Sequence, residues 1–389
     1  MPRFPSSAAS AQGLSDRVFG QLVRKSGEHG ACVFPLHVGD TYLEPLALAR
    51  AEAQTTEARP RLHNYAPVQG EPELLQAILD KVARRSGVQL DPACVQVMSG
   101  ATAGLGVICT ALLEPGDEVI LPAPFWPLVR GIIRARGAIP VEVPFYTRLH
   151  EPGFDPIAAL QAAITPRTAA IYVNTPHNPT GVILPEAVLS GIASLAARHD
   201  LWVLCDEVYE DVWFGEHAPD SVFARPDFAQ RTIATHSVSK AYGLAGARVG
   251  YSHGPREIME VVRGVQTFYS YCAPRPMQFG AAHALAHGDA WLANMRAVYG
   301  RAARAAAQAL EVSEPQGGTF LFFDLRPYMR AGESLIQVLE RCLEAGVMLT
   351  PGTASGKHYE TWARLCFTTV PEPELREALG QLRRALGLS

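Results

Sequence analysis

Three segments decide how this chain folds: AAIYVNTPHNPTG at residues 169–181, LWVLCDEVY at 201–209 and TIATHSVSKAYGLAGARVGY at 232–251. Each opens on a short continuous apolar run, as a strand covered on both faces does, and each closes on polar residues. Helical patterns such as Leu184 to Arg198 fill the gaps, so the segments read as successive β-α units of a mostly parallel sheet. Parallel strands deliver their carboxyl ends to one edge, where ligands bind. That edge should gather Asn174 to Gly181, Asp206 with Tyr209, and His236 to Lys240.

The same alternation extends toward the N-terminus. Glu71 to Arg85 carries Leu74, Leu75, Ile78 and Val82 at helical spacing, an apolar strand lies around Cys94 to Met98, and a small-residue helix runs from Ala101 to Leu113 before Pro115-Gly116-Asp117 ends it. Further strands are expected at 118–121 and 139–143. After about residue 275 the pattern changes to an Ala-rich helical stretch over 276–310, then strand, helix, strand, strand and helix over 319–386. We expect an α/β chain with a large domain at 48–275 and a smaller α/β domain with an N-terminal arm from 1–47 and 276–389. No Gly/Ser linker divides them, so the two should pack together with a site between them.

Composition narrows the function. With 389 residues, 48% hydrophobic and 19% charged, the chain has the make-up of a globular protein and ample material for a core. A net charge of −4 supplies no positive field for nucleic acid or anionic lipid. No apolar window approaches the roughly 20 residues that cross a bilayer, and the N-terminus lacks the apolar region of a signal peptide, so a cytoplasmic location is expected. Seven scattered cysteines (Cys32, Cys94, Cys109, Cys205, Cys272, Cys342, Cys366), none in C-x-x-C spacing, argue against a disulfide framework or zinc knuckle. Lysine occurs only at 25, 81, 240 and 357, so chemistry that needs an amine nucleophile has four candidates.

Taken singly, the strand-end motifs are ordinary: N-P-x-G is a common turn, an Asp at a strand end is often a cap, and a lysine in a Gly-rich loop is often solvated. Their order and spacing are not ordinary. Asn178 to Gly181, then Asp206 with Tyr209, then Ser237, Ser239 and Lys240 followed eight residues on by Arg248, resemble the cofactor site of the class I/II aminotransferases, fold-type I pyridoxal-phosphate enzymes. The resemblance runs from Val38-Gly39 to Arg364 and implies a mostly parallel seven-stranded sheet flanked by helices, with pyridoxal 5′-phosphate as cofactor.

On this resemblance Lys240 carries the cofactor and acts as acid–base catalyst, since a lysine amine condenses with an aldehyde and leaves a linkage that an amino acid can displace. Asp206 sits beside the pyridine nitrogen, where a carboxylate favours the protonated ring that withdraws electrons from the substrate Cα. Asn178 and Tyr209 are implied near the ring's phenolic oxygen, and Trp126, in Pro124-Phe125-Trp126-Pro127, stacks on the ring. The phosphate falls to Ala101 and Thr102, which open a helix directly after a strand, and to Ser237, Ser239 and Arg248. Tyr65 resembles the tyrosine that reaches the phosphate from a partner subunit, which implies a homodimer with shared sites.

Arg364 matches the arginine that grips the substrate α-carboxylate, with Gly39 and Asn178 lining the same place. The usual Glu-Pro after that glycine is replaced here by Asp40-Thr41. Cis peptide bonds are implied at Asn178-Pro179 and Ala123-Pro124. The expected activity is ping-pong exchange of an amino group between an α-amino acid and a 2-oxo acid. A β-lyase cleaving a C–S bond could use the same residues, and a non-catalytic effector module is a third reading. No metal is expected.

Overall fold

The computed structural model of the chain describes residues 8–12, 14, 25, 33–222, 225 and 228–388. Much of the arm expected at 1–47, with Cys32, lies outside them. The six expected strands form as β1 (Val95–Met98), β2 (Glu118–Ala123), β3 (Ile139–Pro144), β4 (Thr168–Asn174), β5 (Trp202–Asp206) and β6 (Thr232–Ser237). A seventh, β7 (Gly250–His253), completes a sheet of order β1-β7-β6-β5-β4-β2-β3. The pattern of β7 does not announce a strand, because Tyr251 is its one large apolar residue. It runs antiparallel to both neighbours, β1 and β6, while the other six strands share one direction.

Around this sheet lie α1 (Pro72–Ser86), α2 (Ala101–Leu112), α3 (Pro127–Ala135), α4 (Pro156–Gln161), α5 (Glu186–His199) and α6 (Arg256–Tyr269). The continuous apolar runs are explained by burial on both sides. Ala170, Tyr172 and Leu204 pack with Leu105 of α2, Ile133 of α3 and Val262 of α6, whereas the intervening Ile171, Val173, Val203 and Cys205 pack with Leu189, Ile192 and Ala196 of α5. Each fully buried leucine, isoleucine or valine among them contributes about 1.5–3 kcal/mol. Side chains alternate along a strand, so Asn174, Asp206 and Ser237 fall on the α2 and α3 side. The reversed β7 brings its N-terminal end, with Arg248 just before it, to the same sheet edge as the carboxyl ends of β4, β5 and β6.

The Ala-rich stretch expected at 276–310 is two helices, α7 (Arg275–His287) and α8 (Asp289–Leu310), separated at Gly288, the poorest helix former after proline. Then follow β8 (Phe320–Asp324), α9 (Leu335–Glu344), β9 (Thr350–Pro351), β10 (Trp362–Cys366) and α10 (Glu372–Leu386). The three strands form an antiparallel sheet of order β8-β10-β9. Its core joins Leu321, Phe323, Leu365 and Phe367 with Ala303 and Ala306 of α8, Leu339 of α9 and Leu379 of α10. Helix α9 begins on a capping box: Ser334 Oγ accepts from the Gln337 N–H and Gln337 Oε1 accepts from the Ser334 N–H. Leu36 is part of this core, which anchors the segment that carries Gly39. Among the described residues no helix is long and apolar enough to cross a membrane.

Candidate active site

One cleft of about 230 Å³ lies at the strand-end edge, bounded by both sheets. Gly39, Ala101, Thr102, Trp126, Asn178, Asp206, Tyr209, Ser237, Ser239, Lys240, Arg248 and Arg364 all line it. Tyr65 does not. It is 82% exposed and packs edge-on against Tyr271, with ring centroids 5.0 Å apart, on the outer surface.

Asp206 is buried at the end of β5. One carboxylate oxygen accepts from the Tyr172 hydroxyl at 2.6 Å and the other from the Val208 N–H at 3.2 Å. Burial raises its pKa, and these two donors with His236 oppose the rise. The neighbouring turn is tied to the same place. Asn174 Nδ2 donates to the Asp206 carbonyl at 2.8 Å, and Asn174 Oδ1 accepts from the Asn178 N–H at 2.8 Å. Asn178 in turn donates through Nδ2 to the Tyr209 hydroxyl at 3.4 Å. The Asn178-Pro179 and Ala123-Pro124 bonds are cis, and so is Thr175-Pro176, which the sequence does not single out.

Lys240 reaches in from the loop after β6, and its Nζ donates to the Gly39 carbonyl at 2.6 Å. Burial pulls its pKa down. Asp40 and Cys366 push the other way, and the positive charges of Arg248 and Arg364 reinforce the fall. The result is an amine more readily freed of its proton than an exposed lysine. A Cβ on Gly39 would stand 2.7 Å from the Phe320 ring, so only glycine lets this backbone close over the cleft.

At the opposite end, Gly100 (φ +81°) turns the chain from β1 into α2, leaving the first N–H groups of that helix at the cleft. The Arg248 guanidinium lies across the turn, where a Cβ on Gly100 would come within 2.4 Å of it. Ser237 Oγ and Ser239 Oγ are 2.8 Å apart beside it. Hydroxyls, helix N–H groups and a guanidinium around one end of a cleft suit a phosphate dianion.

Arg364 projects from β10 of the smaller sheet and is buried. Its Nη1 donates to Asn178 Oδ1 at 3.1 Å and its Nη2 to the His37 carbonyl at 3.2 Å, while the guanidinium carbon sits 4.1 Å above the Phe320 ring. Its Nε has no partner, and among the described residues no carboxylate pairs with it. Burial lowers its pKa. A buried guanidinium without a counter-ion and with a donor to spare asks for an anion from outside.

Sequence reading missed Tyr172 and Phe320. Tyr172 stands two residues before Asn174, on the same face of β4, and this period-2 placement was the available signal. Phe320 gave none, because its contact with Arg364 comes from another strand. Leu105, Val208 and Ala245 complete the lining.

Comparison with known proteins agrees with this geometry. Residues 33–382 match the family described as aminotransferase class I and II. The aspartate/prephenate aminotransferase of Thermus thermophilus is 33% identical over 335 residues, covering 83% of each chain. The arginine–pyruvate transaminase of Pseudomonas aeruginosa is 35% identical over 364 residues, covering 90% of this chain and 89% of that one. The solved N-succinyldiaminopimelate aminotransferase of Mycobacterium tuberculosis superposes with a TM-score of 0.89 at 28% identity, over 98% of this chain and 100% of that one. Chain-long identity and a shared architecture place the protein among the class I and II aminotransferases.

Proposed function

We propose that this aminotransferase binds pyridoxal 5′-phosphate through Lys240 and exchanges amino groups between an α-amino acid and a 2-oxo acid in two alternating half-reactions. One observation carries the reading: a partly desolvated amine (Lys240), a buried carboxylate (Asp206) and a buried guanidinium without a counter-ion (Arg364) open on one cavity from three different elements. When bound, the cofactor supplies an electron sink for the charge left at the substrate Cα. Asp206 would hold a proton at the ring nitrogen, with Tyr172 fixing its carboxylate. Ser237, Ser239, Arg248 and the N–H groups at Ala101 and Thr102 would hold the phosphate. Trp126 would cover one ring face, and Asn178 and Tyr209 would orient the ring hydroxyl.

Arg364 would seize the substrate α-carboxylate with its unused Nε and flanking nitrogen, aligning the Cα–H bond with Lys240 Nζ. Lys240 would take that proton and deliver it to the cofactor carbon on the far side of the transferred nitrogen, a transfer helped by a lowered amine pKa. A homodimer belongs to the same proposal. Tyr65, Phe268, Tyr269 and Tyr271, 82%, 93%, 66% and 46% exposed, crowd one outer surface as aromatic side chains do where a partner docks.

The test is a half-reaction. Protein loaded with pyridoxal 5′-phosphate and given single amino acids without an oxo acid should lose its visible absorption band and release about one equivalent of oxo acid per site. Adding pyruvate or 2-oxoglutarate should restore the band. Continuous release of pyruvate and ammonia from a cysteine-type donor, with no such exchange, would establish the lyase reading instead.

A further inference from the structure

Behind the cleft, on the α1 side of the sheet, lies a buried ion cluster that the reaction described above does not use. Lys81 of α1 places its Nζ 2.5 Å from Asp211 and 2.8 Å from Glu210. Arg85, one turn on, lies 3.3 Å from Glu210 and 3.2 Å from Asp211. His236 of β6 meets Glu210 through Nδ1 at 3.0 Å and Glu207 through Nε2 at 3.6 Å, and the same Nε2 is 3.0 Å from His253 Nε2 on β7. Tyr251 and Tyr242 complete the surroundings, the former with its hydroxyl 3.5 Å from Glu210 and the latter with its ring 5.3 Å from Lys81.

Three carboxylates, Glu207, Glu210 and Asp211, thus face two permanent cations; burial raises the pKa of Glu207, and a charged His236 opposes that rise and supplies the third positive charge that balances the ionised set. Nδ1 meets the Glu210 carboxylate, and Nε2 points to the Glu207 carboxylate and to His253, which accepts from it when its own proton is on Nδ1; this surrounding suits an imidazolium. Burial opposes that charge, but Glu210 and Glu207 outweigh it and His236 titrates above its ordinary value. Burial and the neighbouring imidazolium keep His253 well below its own.

The cluster shares its backbone with the cleft. Within 206–211, Asp206 and Tyr209 face the cavity while Glu207, Glu210 and Asp211 turn into the cluster. Glu207 is also stapled to β6 by its N–H to the Thr235 carbonyl at 2.9 Å. We propose that this cluster is the positioning device for segment 206–211, and that the protonated His236 is the pin that holds Asp206 and Tyr209 at the cofactor ring. The inference rests on the cofactor reading above.

A group whose pKa is raised by folding stabilises the fold fully below its unfolded value and loses that contribution as pH climbs through the raised one. Deprotonated His236 leaves three carboxylates against two cations, and the segment should loosen on the alkaline side. The probe is pyridoxamine 5′-phosphate, which cannot condense with Lys240, titrated against the cofactor-free protein across pH. His236→Gln should weaken its binding about tenfold at neutral pH, as loss of a supporting hydrogen-bond partner does elsewhere, and should remove the alkaline decline expected of the parent. His236→Gln with Glu210→Gln restores two carboxylates to two cations and should recover affinity to within about threefold.

A role in packing alone predicts the reverse, since the second substitution would compound the first. A double variant weaker than the single one, or a single variant identical to the parent in affinity and pH profile, overturns the proposal. Should His236→Gln not fold, Glu210→Gln alone leaves Glu207 and Asp211 against Lys81 and Arg85 when His236 is neutral and should therefore abolish the alkaline decline; an unchanged decline rejects the pin. Failure of the parent itself to bind the probe would instead overturn the cofactor reading and this inference with it.

Discussion

Lys240→Ala should leave a folded protein with no measurable amino-group transfer and no visible absorption band after mixing with pyridoxal 5′-phosphate. Lysine is scarce in this chain, with four in 389 residues. Lys25 pairs with Glu340 at 2.5 Å, Lys81 is held in the buried cluster, and Lys357 sits exposed beyond the cleft. Lys240 is the one amine among the cleft-lining residues. Its removal would delete the proposed covalent anchor and proton carrier together. General acid–base catalysis alone is worth about 10²–10⁴-fold, and loss of the anchor adds to that. The lost hydrogen bond to the Gly39 carbonyl costs only about 0.5–1.5 kcal/mol, so the urea midpoint should shift little. A variant that kept the parent's rate would remove Lys240 from the chemistry.

Arg364→Ala should lower kcat/KM for amino donors and oxo acids by roughly thirtyfold to a few thousandfold, the equivalent of about 2–5 kcal/mol for truncating one partner of a buried, hydrogen-bonded charge pair. The cofactor should stay bound, since the residues around the phosphate end come from other elements. Arg364→Lys should recover part of the loss, because an ammonium restores charge but not the planar fork. The split between substrate and cofactor affinity is the informative readout. Equal losses of both would mean that Arg364 supports the cleft as a whole, through Asn178 and the His37 carbonyl, and does not grip substrate.

Much of this was legible because the residues lie at strand ends, and a parallel sheet gathers strand ends whatever their distance in sequence. Asn178, Asp206 and Lys240 could be placed together for that reason. Arg248 was found by its spacing from Lys240, although the strand it precedes was not, since β7 (Gly-Tyr-Ser-His) has no apolar run. The break at Gly288 was hidden by the uniform helical composition on both sides. What stayed invisible depends on contacts across the chain. Lys81 and Asp211 are 130 residues apart, and nothing local in DEVYED distinguishes the carboxylate that faces the cleft from those that turn away from it. Tyr172 likewise reads as one more apolar residue of a buried strand until its hydroxyl is seen on Asp206.

On the proposed reading, the grip on substrate and the grip on cofactor belong to different sheets: Arg364 rides on β10, while Asp206 ends β5 and Lys240 follows β6. Any loosening between the two sheets, by mild heat or dilute denaturant, should therefore cost the enzyme its hold on amino acids before its hold on vitamin B6. Such a molecule would stay yellow after it had stopped working, and colour would be a poor certificate of a healthy preparation.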